Sequence, residues 1–323
     1  MTAEAITYHD ADSVLITVPT GGYSSGQVLL LADGRAGVIE SLNSLAAADK
    51  ASVKVRGLVT VAKTASIVIL DGGLVKWDHS ANSATIPTLV DSKDFILGRA
   101  VGDAASAATT MVVDLNASKE SAYISLAKSA FVSAPIETAG FVRAAMVGGS
   151  FKAAFSATAE AQKIDLLSAQ SFALGTNWIF EAVFTVVTTA DADVGDLNIG
   201  VANATHATDC DSITESCFVH CDLGADLNID AESDDGTTEV NATDTTIDLV
   251  AGTPVHIVFD GRTETDIQLY VNGVNRLAAS VFTFAAATGP LKALFHLEKT
   301  ANDTLCDVLL SLMEVRLTAD VEA

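Results

Sequence analysis

A chain of 323 residues suits two domains of ordinary size, each able to bury its own core. Hydrophobic residues make up 49% of it but aromatics only 6%, and the apolar residues come in short runs, so no membrane-crossing helix is expected. The net charge of −23 is uneven: residues 1–117 hold 8 Lys/Arg against 12 Asp/Glu, whereas residues 118–323 hold 10 against 29, which excludes nucleic acid and an acidic membrane surface as partners of the second part.

The N-terminal third reads as strands separated by turns. VLITV (14–18) precedes the turn-rich PTGGYSSGQ; VLLL (28–31), the turn Asp33-Gly34 and AGVIE (36–40) follow. Next come SVKVRGLVTVA (52–62), SIVIL (66–70), the turn Asp71-Gly72-Gly73, LVKWD (74–78), SATIP (83–87), FILGRAVG (95–102) and TTMVVDL (109–115). β-Branched runs punctuated by Gly, Asp, Asn or Ser are the pattern of a small all-β barrel or sandwich. Residues 118–136, rich in Ala and Ser and ending at the proline of SAPI, read as a linker. From 137 onward longer strands resume, among them AQKIDLLS, NWIFEAVFTVVTT, DLNIGVANAT, ESCFVHCDLG, ADLNIDAES, TPVHIVFDG, LKALFHLEKT and LCDVLLSLMEVRLTA. In IFEAVFTV, Ile179, Glu181, Val183 and Thr185 alternate with Phe180, Ala182, Phe184 and Val186, a period of two. About twelve strands in this stretch point to a two-sheet jelly-roll sandwich. The fold class is therefore all-β: a small N-terminal β-barrel (1–117), a linker (118–136) and a C-terminal jelly-roll (137–323). The start, MTAEAITYHDADSV, has neither the basic nor the apolar segment of a signal peptide, so none is expected.

Residues with chemical potential are few. Two glycines, Gly21 and Gly26, stand five apart as in a phosphate loop, but Gln27 and Val28 follow where Lys and Ser/Thr are required. The six histidines (His9, His79, His206, His220, His256, His296) show no ligand spacing, and no nucleophile elbow or HExxH motif is present. Cys217 and Cys221 lie roughly 13 Å apart along a strand, too far for a disulfide or one metal shell, and the four cysteines read as small buried hydrophobes. Glu181, Glu232, Glu239, Glu298 and Glu314 lie on or near strands and could supply a glycosidase-type carboxylate pair. Sugar-cleaving clefts also need stacking aromatics, and the second domain has only Trp178, Tyr123 and Tyr270 for that purpose, so no enzyme activity is expected. Asp191, Asp193 and Asp196 form the one metal candidate, a loop of hard oxygen ligands suited to calcium. The run Asp230 to Gly236 reads as a charged β-turn.

The blocks PTGGYSSGQVLLL, AGVIES, ASVKVRGLVTVAK, LDGGLVKWDHSANSATI, FILGRAVGDA and TTMVVDLN, in that order, make the first domain resemble small phage head-decoration (capsid cement) proteins. The resemblance implies a β-barrel that docks on assembled major capsid protein, commonly as a homotrimer. It also implies residence on the outer surface of the virion head after synthesis in the host cytoplasm, and no catalysis or cofactor. TPVHIVFDGRTETDIQLYVNGV and DVLLSLMEVRLTA make the second domain similar to the concanavalin A/laminin-G jelly-roll. That likeness leaves a glycan as a conceivable partner, and with it the alternative of a head-anchored adhesin.

Overall fold

The computed structural model describes residues 12–88, 91–117, 123–125, 141–145, 151–155, 160–188, 195–206, 210–223, 227–277, 279–302 and 306–317. It is all-β, and the described residues include one short 3-10 turn, Cys210–Ser212. The chain divides into two compact units, residues 1–119 and 120–323.

The first unit holds β1 (Ser13–Thr17), β2 (Val28–Leu30), β3 (Ala36–Ile39), β4 (Lys50–Lys54), β5 (Gly57–Ala62), β6 (Leu74–Asp78), β7 (Ser83–Thr85), β8 (Phe95–Ala100) and β9 (Thr110–Leu115). They form a four-stranded sheet, β1-β4-β3-β2, and a five-stranded sheet, β5-β9-β8-β6-β7, both antiparallel. Lys63, just past β5, bridges Ala84 in β7, and the Thr64 N–H donates to Ala84 O at 2.9 Å. The edges of the five-stranded sheet thus meet at one bridge, which rolls it toward a barrel around Val75, Trp77, Leu97, Val113 and Leu115. The run SVKVRGLVTVA is not one strand. Gly57, at φ +83°, lets the chain leave the first sheet after β4 and enter the second. Asn116 ties the sheets together: its Oδ1 accepts from Ala36 N–H, and its Nδ2 donates to Ala36 O and Val55 O, all at 2.9 Å. SIVIL also departs from expectation. It is apolar because Ile69 and Leu70 are buried, yet it pairs only through the isolated bridge Ile69–Ala104.

The second unit holds β10 (Tyr123–Ser125), β11 (Phe141–Ala145), β12 (Phe151–Phe155), β13 (Glu160–Leu167), β14 (Trp178–Thr188), β15 (Asp196–Ala202), β16 (Ser216–Asp222), β17 (Asn228–Asp234) and β18 (Glu239–Asp248). It continues with β19 (Val255–Gly261), β20 (Gln268–Val271), β21 (Val274–Asn275), β22 (Lys292–Asn302) and β23 (Asp307–Leu317). One sheet runs β11-β12-β23-β14-β19-β20-β21 with β10 also on β23; the other runs β13-β22-β15-β16-β17-β18. Within the segment read as a linker, β10 is therefore a strand paired to β23. The core lies between the sheets, with Phe180, Phe184 and Phe259 from one and Ile164, Ile199, Phe295 and Leu297 from the other. The alternation in IFEAVFTV holds for Phe180, Ala182, Phe184 and Val186, which all enter this core. Trp178 is fully buried opposite Gly261, whose missing side chain leaves room for the indole. LYVNGV is a two-residue hairpin in which Asn272 (φ +51°) and Gly273 (φ +78°) join β20 to β21.

Candidate functional site

Strand parity decides which side chains leave the jelly-roll core. On the six-stranded sheet, Ile164, Leu166, Leu197, Ile199, Cys217, Val219, Ile229, Phe295 and Leu297 face inward, so their neighbours project from the other face. Register then lines up one row across all six strands. Asp165 lies opposite His296, His296 opposite Asn198, Asn198 opposite His220, His220 opposite Asp230, and Asp230 opposite Asp244. Beside it, Lys163 faces Glu298 and Asp196 faces Asp222. The other flank is apolar: Leu167, Ala202, Phe218 and Leu294 cluster with Cys210 and Ile213 from the 3-10 turn and the residue after it.

At the β13–β22 end of the row, Asp165 and His296 are 0% exposed and Cys210 is 1% exposed. His296 Nδ1 lies 3.6 Å from Asp165 Oδ1, and its Nε2 lies 3.5 Å from Glu298 Oε2. One ligand-type atom from each of Asp165, Cys210 and His296 lies within 4.8 Å of the others. Among the described residues, neither oxygen of Asp165 and neither ring nitrogen of His296 has a hydrogen-bond partner. Lys163 Nζ donates to His206 O at 2.6 Å and stands 3.9 Å from Asp165 Oδ2 and 3.7 Å from Glu298 Oε2. Burial opposes charge on His296, but Asp165, Cys210 and Glu298 outweigh it and hold the imidazole well above its ordinary pKa. Burial pushes the Cys210 thiol up, with His296 opposing. Toward the middle of the row, Asp211, His220 and Glu232 form a second, more open group. His220 Nδ1 lies 2.9 Å from Asn198 Oδ1, and Nε2 lies 3.9 Å from Asp196 Oδ1.

Of the calcium triplet, Asp191 and Asp193 lie outside the described residues. Asp196 opens β15 beside His220; burial raises its pKa, His220 opposes that, and Glu298 and Asp222 reinforce it. The candidate carboxylates separate into different environments. Glu181 and Glu314 are buried on the eight-stranded sheet: Arg316 pairs with both, at 3.2 Å to Glu314, and His256 Nε2 lies 2.9 Å from Glu181. Burial would raise the Glu181 pKa, but Arg316 and His256 hold it well below the usual range. A carboxylate kept ionised and enclosed cannot act as the acid of a glycosidase pair. Glu298 and Glu232 lie on the six-stranded sheet, and Glu239 is exposed at the start of β18. Asp230 and Glu232 belong to β17 rather than to a turn. Only its end turns, where Asp235 accepts from Thr237 N–H (3.0 Å), Thr238 N–H (2.7 Å) and Ala286 N–H (3.1 Å). Cys217, Cys221 and Cys306 are core residues as expected, whereas Cys210 lies against an imidazole. The sequence signal for Asp165 and His296 was an ionisable residue centred in an apolar strand (KIDLL, LFHLE); their pairing needed the register.

The first unit offers a surface rather than a pocket. Parity sends Ser13, Leu15 and Thr17 of β1 and Lys50, Ser52 and Lys54 of β4 to one face, in the pairs Ser13–Lys54, Leu15–Ser52 and Thr17–Lys50. Leu15 is 69% exposed there. Glu40 fixes this face by accepting from Ser13 Oγ (2.7 Å) and Ser52 Oγ (2.6 Å). Leu30 (50%), Leu42 (92%) and Leu58 (55%) are the other exposed leucines among the unit's described residues.

Residues 8–115 match the family described as phage cement protein. No curated protein matches the chain. Among solved structures, the carbohydrate recognition domain of Emp46p in its potassium-bound form aligns at 12% identity and TM-score 0.39, over 55% of this chain and 86% of that one. LamAcat from Zobellia galactanivorans aligns at 10% identity and TM-score 0.38, over 52% and 77%. A structure from work on endo-acting O-glycanases of the human gut microbiota aligns at 10% and TM-score 0.40, over 62% and 94%.

Proposed function

We propose that this chain is a non-enzymatic decoration protein of a phage head, in which the first unit docks on assembled major capsid protein and the acidic jelly-roll faces solvent. The observation that carries this reading is the phage cement protein match over residues 8–115. Charge supports it. The first unit is close to neutral and presents a hydrogen-bonded strand face with an exposed leucine between two lysine positions, suited to a protein lattice. The jelly-roll's one tryptophan is enclosed by the core, where it can stack on no sugar, and the buried carboxylates Glu181 and Glu314 are paired with Arg316. Affinity on a shell comes from many modest contacts, and a homotrimer would add to it by raising effective concentration.

The test compares heads assembled with and without the protein. Decorated heads should open at higher temperature or stronger osmotic shock, and electron microscopy should place the protein on the outer shell surface. Leu15→Glu should reduce occupancy while leaving the circular dichroism spectrum unchanged. Equal head resistance with and without the protein, and no density on the shell, would overturn the proposal.

A further inference from the structure

We infer that Asp165, Cys210 and His296 form a buried zinc site that clamps the Cys210–Ser212 turn onto the outer face of the six-stranded sheet.

The donors come from three separate parts of the chain, β13, the 3-10 turn and β22, and converge within 4.8 Å at a place almost closed to solvent. Carboxylate oxygen, thiolate sulfur and imidazole nitrogen together are a zinc-type donor set rather than a calcium-type one. The spacing argues further. At 3.6 Å, His296 Nδ1 and Asp165 Oδ1 are too far apart to share a hydrogen bond. Two ligands about 2.1 Å from a tetrahedral zinc stand about 3.4 Å from each other, so the separation suits a shared metal. The opposite ring nitrogen faces Glu298 at 3.5 Å, so a carboxylate stands on the side of the ring away from Asp165, where an outer partner of a metal-bound imidazole belongs.

Charge balance points the same way. Among the described residues, Asp165 is fully buried with no hydrogen bond to either oxygen, and the Lys163 ammonium, 3.9 Å from Oδ2, meets only part of the cost of burying it. A divalent ion with one carboxylate, one thiolate and a neutral imidazole is locally neutral, and Lys163, 3.9 Å from Asp165 and 3.7 Å from Glu298, balances the remaining carboxylate. The apolar neighbours Leu167, Ile213, Phe218 and Leu294 close the site against bulk solvent, and the three protein donors leave the fourth tetrahedral position to a water. The second group, Asp211, His220 and Glu232, is more exposed, and His220 already has Asn198 as a partner. It serves as the internal control.

The experiment uses the full chain, reconstituted with zinc(II) or cobalt(II), desalted, and analysed by plasma mass spectrometry and absorption. Wild type should retain one ion per chain, and the cobalt form should show sulfur-to-metal charge transfer. Cys210→Ser and His296→Gln should fall to background metal, while His220→Gln should keep the full equivalent. Folded wild type at background metal would overturn the inference, as would a Cys210→Ser variant that binds as wild type does. Should Cys210→Ser fail to fold, the wild-type cobalt spectrum decides: absence of a thiolate band sinks the site.

Discussion

Asp94→Asn is the sharpest probe of the first unit. The Asp94 carboxylate accepts from Lys76 Nζ at 3.0 Å, His79 N–H at 3.1 Å and Asp91 N–H at 3.1 Å, and both charged side chains are only 3% exposed. Lys76 Nζ also donates to Thr88 O at 2.5 Å, so the pair fastens Thr88 and Asp94 to β6. Burial raises the Asp94 pKa, but the two backbone donors and Lys76 outweigh it and bring it from 3.8 to about 2. A carboxylate whose folded pKa is depressed contributes stability above its unfolded pKa and loses it as pH falls through the folded value. The shift corresponds to about 2 kcal/mol at neutral pH. Leaving the Lys76 ammonium buried without its counter-charge extends the cost of the variant toward about 3–5 kcal/mol. Because two units need not unfold together, the readout is hydrogen exchange by mass spectrometry in urea, on peptides covering β6 and β8. At pH 7 the variant should lose protection in those peptides, and the gap from wild type should close between about pH 4 and pH 2. A difference below about 0.5 kcal/mol, or one that stays constant down to pH 2, would refute the reasoning.

Other consequences concern the jelly-roll. A Cβ on Gly261 would stand 2.0 Å from the Trp178 ring, which Phe172 and Phe284 already hold at centroid distances of 5.5 and 6.0 Å. Gly261→Ala should therefore cost about 1–3 kcal/mol in urea unfolding and alter the near-ultraviolet dichroism of Trp178; an unchanged spectrum and stability would contradict this packing. Arg316→Met removes the cation shared by buried Glu181 and Glu314 and should cost about 3–5 kcal/mol, measured the same way. A cost under about 1 kcal/mol would mean that the carboxylates are compensated otherwise.

The fold was legible in the sequence where local signals and burial agree. β-Branched runs, the Asp33-Gly34 turn and the two-residue period of β14 all reappear as strands and turns. It was least legible where the same residues serve two purposes. SIVIL is apolar for packing and so reads as a strand, and SVKVRGLVTVA reads as one strand because nothing in its alternation announces the corner at Gly57. The candidate metal ligands were hidden for a different reason. Asp165 and His296 are 131 residues apart, and no local spacing relates them. Only strand order, with β22 inserted between β13 and β15, makes them neighbours. The acidic triplet was conspicuous because it is local, yet only Asp196 of the three lies among the described residues.

The charge asymmetry carries a consequence for how a shell fills. Each copy brings a net charge of −19 in residues 118–323, and copies on a lattice hold those charges at fixed spacing. Screening extends about 30 Å at 0.01 M salt but only about 8 Å at physiological strength. Repulsion between neighbours should therefore oppose the last additions at low salt and vanish near 0.15 M, where the docking contacts act alone. Titration of undecorated heads, with bound protein counted after sedimentation, should give a broad, anti-cooperative isotherm at about 0.01 M salt and a simple one at about 0.15 M. If affinity instead falls steadily as salt rises, opposite charges drive docking, and the near-neutral face of β1 and β4 is not the surface that meets the shell.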